Sequence, residues 1–342
     1  MSYQKQNELE DIKVHGVSRN TWRMIILGIF ALLVVLGSFI SLMNGAMQIS
    51  GSEIWNILIN PGSSAQDQII WNIRMPRTIV GALVGSNLAL SGAILQGIMR
   101  NPLADPHIIG ISSGAGLAGV VILILYPNLE YLVTPVAFLG ALATAICIYI
   151  LAWKNGIKPI RIILAGVAIS AFLNAGISGL MVFYSDRVNG ALMWMVGGLA
   201  ARSWPHVNTI LPYAIICFIL ALIGARYLNI LLLGDEMARG LGINVEIVRI
   251  LLTALAALLA ASAVSVVGLL GFVGLIIPHA ARLLIGSDYR YLIPASALLG
   301  AAVVILSDTF ARVIFSPIEL PVGLIMAFVG APFFLFLLRK EL

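Results

Sequence analysis

The chain has 342 residues, 60% of them hydrophobic and only 10% charged, with a net charge of +5 at neutral pH. An ordinary soluble domain carries about 25% charged residues, so this composition excludes one and indicates a polytopic membrane protein. No aromatic-basic patch or nucleic-acid motif accompanies the basic excess, and basic residues in short membrane loops set topology instead.

Residues 1–21 are polar and read as a cytoplasmic tail. The apolar run 22–43 that follows is too long for the core of a signal peptide and reads as the first span. Further apolar runs fall near 77–98, 107–126, 132–153, 160–184, 205–227, 247–267, 270–285, 291–313 and 320–338. Each approaches the ~20 residues that cross a hydrocarbon core; the run at 270–285 is short and contains glycine and proline. The expectation is an all-α protein of ten transmembrane helices, with residues 22–342 as one membrane domain and both termini in the cytoplasm. Of the 20 lysines and arginines, that topology places fifteen inside, Lys5, Lys13, Lys154 and Lys158 among them. The other five, Arg74, Arg77, Arg187, Arg202 and Arg312, fall outside; the excess inside follows the positive-inside rule, and these five run against it.

In the second run Gly81, Gly85, Ala89, Ala93 and Gly97 recur every four residues, a smooth face suited to close helix packing. Gly166, Ser170, Asn174 and Ser178 repeat the spacing in the fifth run with polar atoms, which are costly against lipid. That makes the fifth run the better candidate for lining a translocation path, beside the short eighth and tenth runs. Cys147 and Cys217 each lie inside an apolar run and read as packing residues.

Between Leu233 and Ile243 the apolar pattern breaks into Gly-Asp-Glu-Met-Ala-Arg-Gly-Leu-Gly. Gly234 and Asp235 read as a helix start, with Asp235 and Glu236 at the positive end of its dipole. Met237 and Leu241 share a face, and Gly240 and Gly242 permit a sharp exit. The segment near 234–246 falls on the cytoplasmic side, where an amphipathic helix needs something soluble to hold it.

Catalytic chemistry has no visible seat. No G-x-x-x-x-G-K-[ST] phosphate loop occurs, and the four histidines, His15, His107, His206 and His279, show no metal-ligand spacing. The one clear acidic residue within a span, Asp308, has Arg312 four residues later on the same face, a spacing that suits a local charge pair. A conduit powered from elsewhere fits these absences. On the outer side Arg74 and Arg77 flank Met75-Pro76, and Arg312 ends the ninth run; together they could receive acidic side chains or an anionic ligand.

Several strings, in register, resemble the FecCD-type permeases of ATP-binding-cassette importers for iron-siderophore complexes, haem and vitamin B12. They are Arg74-Met-Pro-Arg77, Gly92-Ala-Ile-Leu-Gln96 leading into Asn101-Pro-Leu-Ala-Asp-Pro106 and Gly110, and Gly234 through Gly242. Gly271-Phe-Val-Gly-Leu-Ile-Ile-Pro-His279 with Arg282, Asp308-Thr-Phe-Ala-Arg312 and Glu319-Leu-Pro-Val-Gly323 complete the set. The resemblance spans roughly residues 22 to 340 and implies ten helices per subunit, with two permease subunits, identical or related, around a central path. It implies no cofactor in this chain, with ATP and Mg²⁺ on two cytoplasmic ATPase subunits that dock on Asp235, Glu236, Met237, Ala238, Arg239, Gly240, Leu241 and Gly242. It also implies an extracytoplasmic binding protein whose acidic residues meet Arg74, Arg77 and Arg312. An iron-siderophore complex is the expected cargo, with haem or vitamin B12 as alternatives in the family. An ion-coupled secondary transporter is the alternative of another class, and it needs an isolated mid-membrane ionisable group.

Overall fold

The computed structural model describes residues 18–45, 47–107, 110–153 and 159–341. Most of the expected cytoplasmic tail, residues 1–17, lies outside that range, as do Lys154 and Lys158. Among the described residues the chain is a bundle of helices, and all ten apolar runs are helical.

The first helix, α1 (Arg19–Met43), starts where the Ser18 hydroxyl accepts the Thr21 N–H at 3.2 Å. A short helix not foreseen in the sequence, α2 (Gly51–Ile59), is fixed by a capping box between Ser50 and Glu53. The second span starts earlier than its apolar pattern suggests. A short helix, α3 (Ala65–Ile69), runs through a π-turn at Ile70–Arg74 directly into α4 (Met75–Met99). Pro76 cannot donate a backbone bond, and the wider turn before it lets the helical path continue instead of beginning there.

The chain continues through α5 (Ile111–Leu125), α6 (Val133–Ala152), α7 (Pro159–Phe183) and a short α8 (Val188–Val196). Then come α9 (Trp204–Leu232), α10 (Asp235–Gly240), α11 (Val245–Val267), α12 (Val273–Ile285), α13 (Tyr289–Val313) and α14 (Val322–Glu341). Side-chain caps start two of these. Asn244 accepts the Ile247 N–H at 3.1 Å before α11, and Asp288 accepts the Arg290 N–H at 3.1 Å before α13. Among the described residues seven helical runs are long and apolar enough to cross a membrane, while α5, α12 and the apolar part of α14 are shorter.

Helix α4 is the centre of the bundle, with 78% of its apolar window buried, against 17% for α7. Its small residues are used within the chain. A Cβ added at Gly85, in the stripe, would lie 2.2 Å from the Gly300 carbonyl oxygen of α13, and one at Gly92, outside the stripe, would lie 1.9 Å from that of Gly274 in α12. Only glycine lets these backbones touch. Polar side chains add hydrogen bonds where lipid offers no hydrophobic drive. Ser91 donates to the Ala256 carbonyl at 2.7 Å, Ser86 to that of Ala297 at 2.8 Å, and Asn87 to Ser262 at 3.0 Å.

Candidate functional site

Two ends of the bundle carry its charged residues. At one, α10 sits between the end of α9 and the start of α11. Gly234 caps it with φ +108° and Gly242 leaves it with φ +79°, both left-handed conformations that a side chain would strain. Ala238 is fully buried and holds the helix down, whereas Met237 and Leu241 are 61% and 60% exposed. Leu233 and Ile247, at 58% and 53%, extend that apolar patch. Glu236, Arg239, Gly240 and Gly242 are also exposed, with Arg239 3.6 Å from Glu246.

Asp235 differs from its neighbours in facing inward. Its carboxylate accepts from Arg249 of α11 at 3.1 and 3.2 Å and is ion-paired with Arg100, which caps the end of α4. Arg249 is only 1% exposed, and Arg100 adopts the left-handed φ of +48°. One carboxylate thus fastens α10 to the central helix and to α11. Neither partner is legible from local spacing, since Arg100 lies 135 residues away. Nearby, Gln96 accepts from Arg282 at 3.0 Å and donates to the Leu275 carbonyl at 3.1 Å, so two of the quoted strings meet as a packing joint.

The opposite end gathers Arg74, Arg77 and Arg312, all buried. Arg74 donates to backbone carbonyls at the end of α1 and just beyond, those of Leu42, Met43 and Met47. Arg77 grips Asp308 with two bonds of 2.9 and 3.0 Å and reaches Glu319 at 2.8 Å. Arg312 lies 3.3 Å from Asp308 and donates to Ser41 Oγ at 2.9 Å and the Asn44 carbonyl at 3.0 Å. The expected Asp308–Arg312 pair is therefore one side of a larger cluster whose main contact, Arg77, comes from another helix. Glu319 is its accessible member, with 41% of its side chain exposed.

The fifth-run stripe divides in two. Gly166 is buried, and Ser170 lies against the tight turn at Gly110, where an added Cβ would come 2.6 Å from its Oγ. Asn174 and Ser178 are exposed on a helix that the rest of the chain hardly covers. Residues of α8, α12, α14 and the turn before α12, including Met195, Phe272, Ala327 and Phe334, line a cavity of about 680 Å³ together with Asp105 and His107.

The FecCD transport family profile matches residues 15–340. The chain is 41% identical over 314 residues to the Fe(3+)-citrate import system permease protein YfmE of Bacillus subtilis (strain 168), covering 92% of this chain and 94% of that one. It is 39% identical to the hemin transport system permease protein HmuU of Yersinia pestis, covering 93% and 96%. The cobalamin import system permease protein BtuC of Halobacterium salinarum (strain ATCC 700922 / JCM 11081 / NRC-1) is 45% identical over 274 residues, or 80% and 74% of the two chains. A solved inward-facing structure, described as an ABC transporter of metal-chelate type, superposes with a TM-score of 0.83 at 32% identity, covering 92% of this chain and 99% of that one.

Proposed function

The chain belongs to the FecCD transport family of ABC-importer permeases, and from that membership we propose that it carries an iron-siderophore complex across the cytoplasmic membrane. It is a multi-pass membrane protein of that membrane, and its relatives are transport subunits. In this reading the α10 end faces the cytoplasm and receives two ATPase subunits, which bind and hydrolyse ATP with Mg²⁺. The observation that carries it is the exposure of Met237 and Leu241 on a segment bounded by two left-handed glycines, with Leu233 and Ile247 exposed on either side of that segment. Glu236 and Arg239 add charge to its rim, while Asp235 and Ala238 hold the patch to the bundle instead of touching the partner.

The arginine end then faces outward and receives the binding protein. Arg74, Arg77 and Arg312 are engaged internally, so an incoming carboxylate exchanges with Glu319, the exposed partner of Arg77. A second permease subunit, identical or related, packs against the uncovered α7, placing Asn174, Ser178 and the neighbouring Ser170 beside the shared path. Nucleotide and docked protein bias two rigid arrangements of the bundle.

Uptake of labelled chelates by cells with and without this chain tests the cargo. Loss of ferric-siderophore uptake, with haem and cobalamin uptake retained, is the expected result. Loss of haem or cobalamin uptake alone moves the cargo to that class, which the hemin and cobalamin relatives represent.

A further inference from the structure

Arg202 is an arginine on the side that the positive-inside rule leaves poor in basic residues, and neither the α10 contacts nor the Asp308 cluster uses it. It lies on the turn between α8 and α9, at the wall of a cavity of about 700 Å³ whose lining also includes Tyr131, Trp194 and His206. That volume is in the range of small-molecule sites, about 300–1,000 Å³. The turn is strained where it presents Arg202, since Ala201 adopts a left-handed φ of +58°. A non-glycine residue in that region is strained and persists only where its surroundings hold it.

The guanidinium is poorly satisfied. Among the described residues its Nε is buried without a hydrogen-bond partner, and its Nη1 has one long contact, 3.4 Å to His206 Nε2. The Ser203 backbone N–H is directed at His206 Nδ1 at 3.2 Å, with Ser203 Oγ also 3.2 Å from it. In the tautomer that this backbone donor favours, the neutral ring carries its hydrogen on Nε2, and Arg202 Nη1–H and His206 Nε2–H converge on the same space. Burial also disfavours the charged form of Arg202, and the Glu130 carboxylate at the cavity margin only partly offsets this. Arg77, on the same wall, is already occupied by Asp308 and Glu319.

We propose that this cavity is a binding site for a small oligocarboxylate anion, one oxygen of which is received jointly by Arg202 Nη1 and His206 Nε2. The planar guanidinium suits a carboxylate better than a lysine ammonium would, and the Trp194 and Tyr131 rings bound the space for the ligand's carbon skeleton. Glu130 and Glu319, both in the lining, oppose the bound charge; Glu319 is tied to Arg77, and Glu130 sets the sign of a second substitution. The site needs no nucleotide and does not depend on the cargo assigned above.

The probe is tricarballylate, a metal-free tricarboxylate, titrated calorimetrically into the purified transporter in nanodiscs without nucleotide, with its neutral triamide as control. Saturable binding of the acid and none of the triamide is expected, weakened at least tenfold by R202Q and by H206F, and strengthened by E130Q. R202K should restore only part of the affinity, and the thermal melt of each variant checks that it is folded. Absence of saturable binding to the wild-type protein, or equal affinity in folded R202Q, overturns the proposal. So would a wild-type protein that takes the triamide as well as the acid.

Discussion

At the residue scale, the buried Asp308 is the counter-charge for two buried arginines. Removing one partner of such a group leaves uncompensated charge and costs about 3–5 kcal/mol. D308N is therefore expected to lower the stability of the bundle by that amount in a denaturant titration, whereas E319Q, whose side chain is 41% exposed, should cost about 1 kcal/mol or less. Equal effects would mean that Arg77 does not depend on Asp308. The Asp308–Arg312 half of this cluster is legible in the sequence because four residues make one helical turn. The Arg77 half is not, because it joins positions 231 residues apart. Asp235 shows the same limit: its place in the segment is readable, but its inward direction is set by Arg100 and Arg249 on other helices.

Glycines separate in the same way. G92A puts a methyl group against a carbonyl that backbone alone can move, so expression and thermal stability should fall sharply. G179A and G190A, with nothing within 4 Å of the added carbon, should be close to neutral. The four-residue stripe in the second run was legible as a packing face, and the structure supplies which backbones it admits.

At the scale of elements, the proposed ATPase contact and the attachment of α10 to the bundle can be separated by mutation. M237S with L241S removes exposed apolar surface and is expected to weaken ATPase association at least tenfold, leaving the melting temperature of the isolated chain unchanged. D235N instead loosens the attachment of α10 to α4 and α11, so the ATPases still bind and hydrolyse while uptake falls. Pull-down and uptake measured on the same preparations distinguish the two. If both variants lose association alike, Asp235 belongs to the contact surface.

The cap of α13 gives a dependence on pH. Hydrogen bonding to Arg290, and then to Asn229, holds the Asp288 carboxyl well below the usual carboxylate range. A depressed acid contributes stability above its unfolded pKa of about 3.9 that is lost as pH falls through the folded value. Melting should therefore show no contribution from this cap to pH changes between neutral and about 4, and a loss below that. D288N should flatten that acid limb. The boundaries of most helices were legible from apolar runs to within a few residues. The early start at Ala65 was not, because a π-turn is a response to Pro76 and carries no hydrophobic signature of its own.

At the scale of the whole molecule, a thinly covered α7 with exposed Asn174 and Ser178 is consistent with a wet path shared with a second subunit. In a chain with Cys147 and Cys217 replaced by serine, N174C in the assembled transporter should react with a membrane-impermeant thiol reagent. L139C, at a lipid-facing position that is 62% exposed, should not. Equal protection of both would place the path away from α7. Family and fold class were legible in the sequence because the six strings keep their order and spacing. Which charged and apolar residues stay exposed was less so, because exposure depends on how the helices close over one another.

The most direct measurement is uptake of a labelled ferric siderophore into proteoliposomes containing this chain and its binding protein, with and without the ATPase subunits. An ATP-powered conduit gives uptake only when ATPase and ATP are present, and none when a proton or sodium gradient replaces them. Robust gradient-driven uptake by the chain without ATPase would contradict the central claim and make it a secondary transporter.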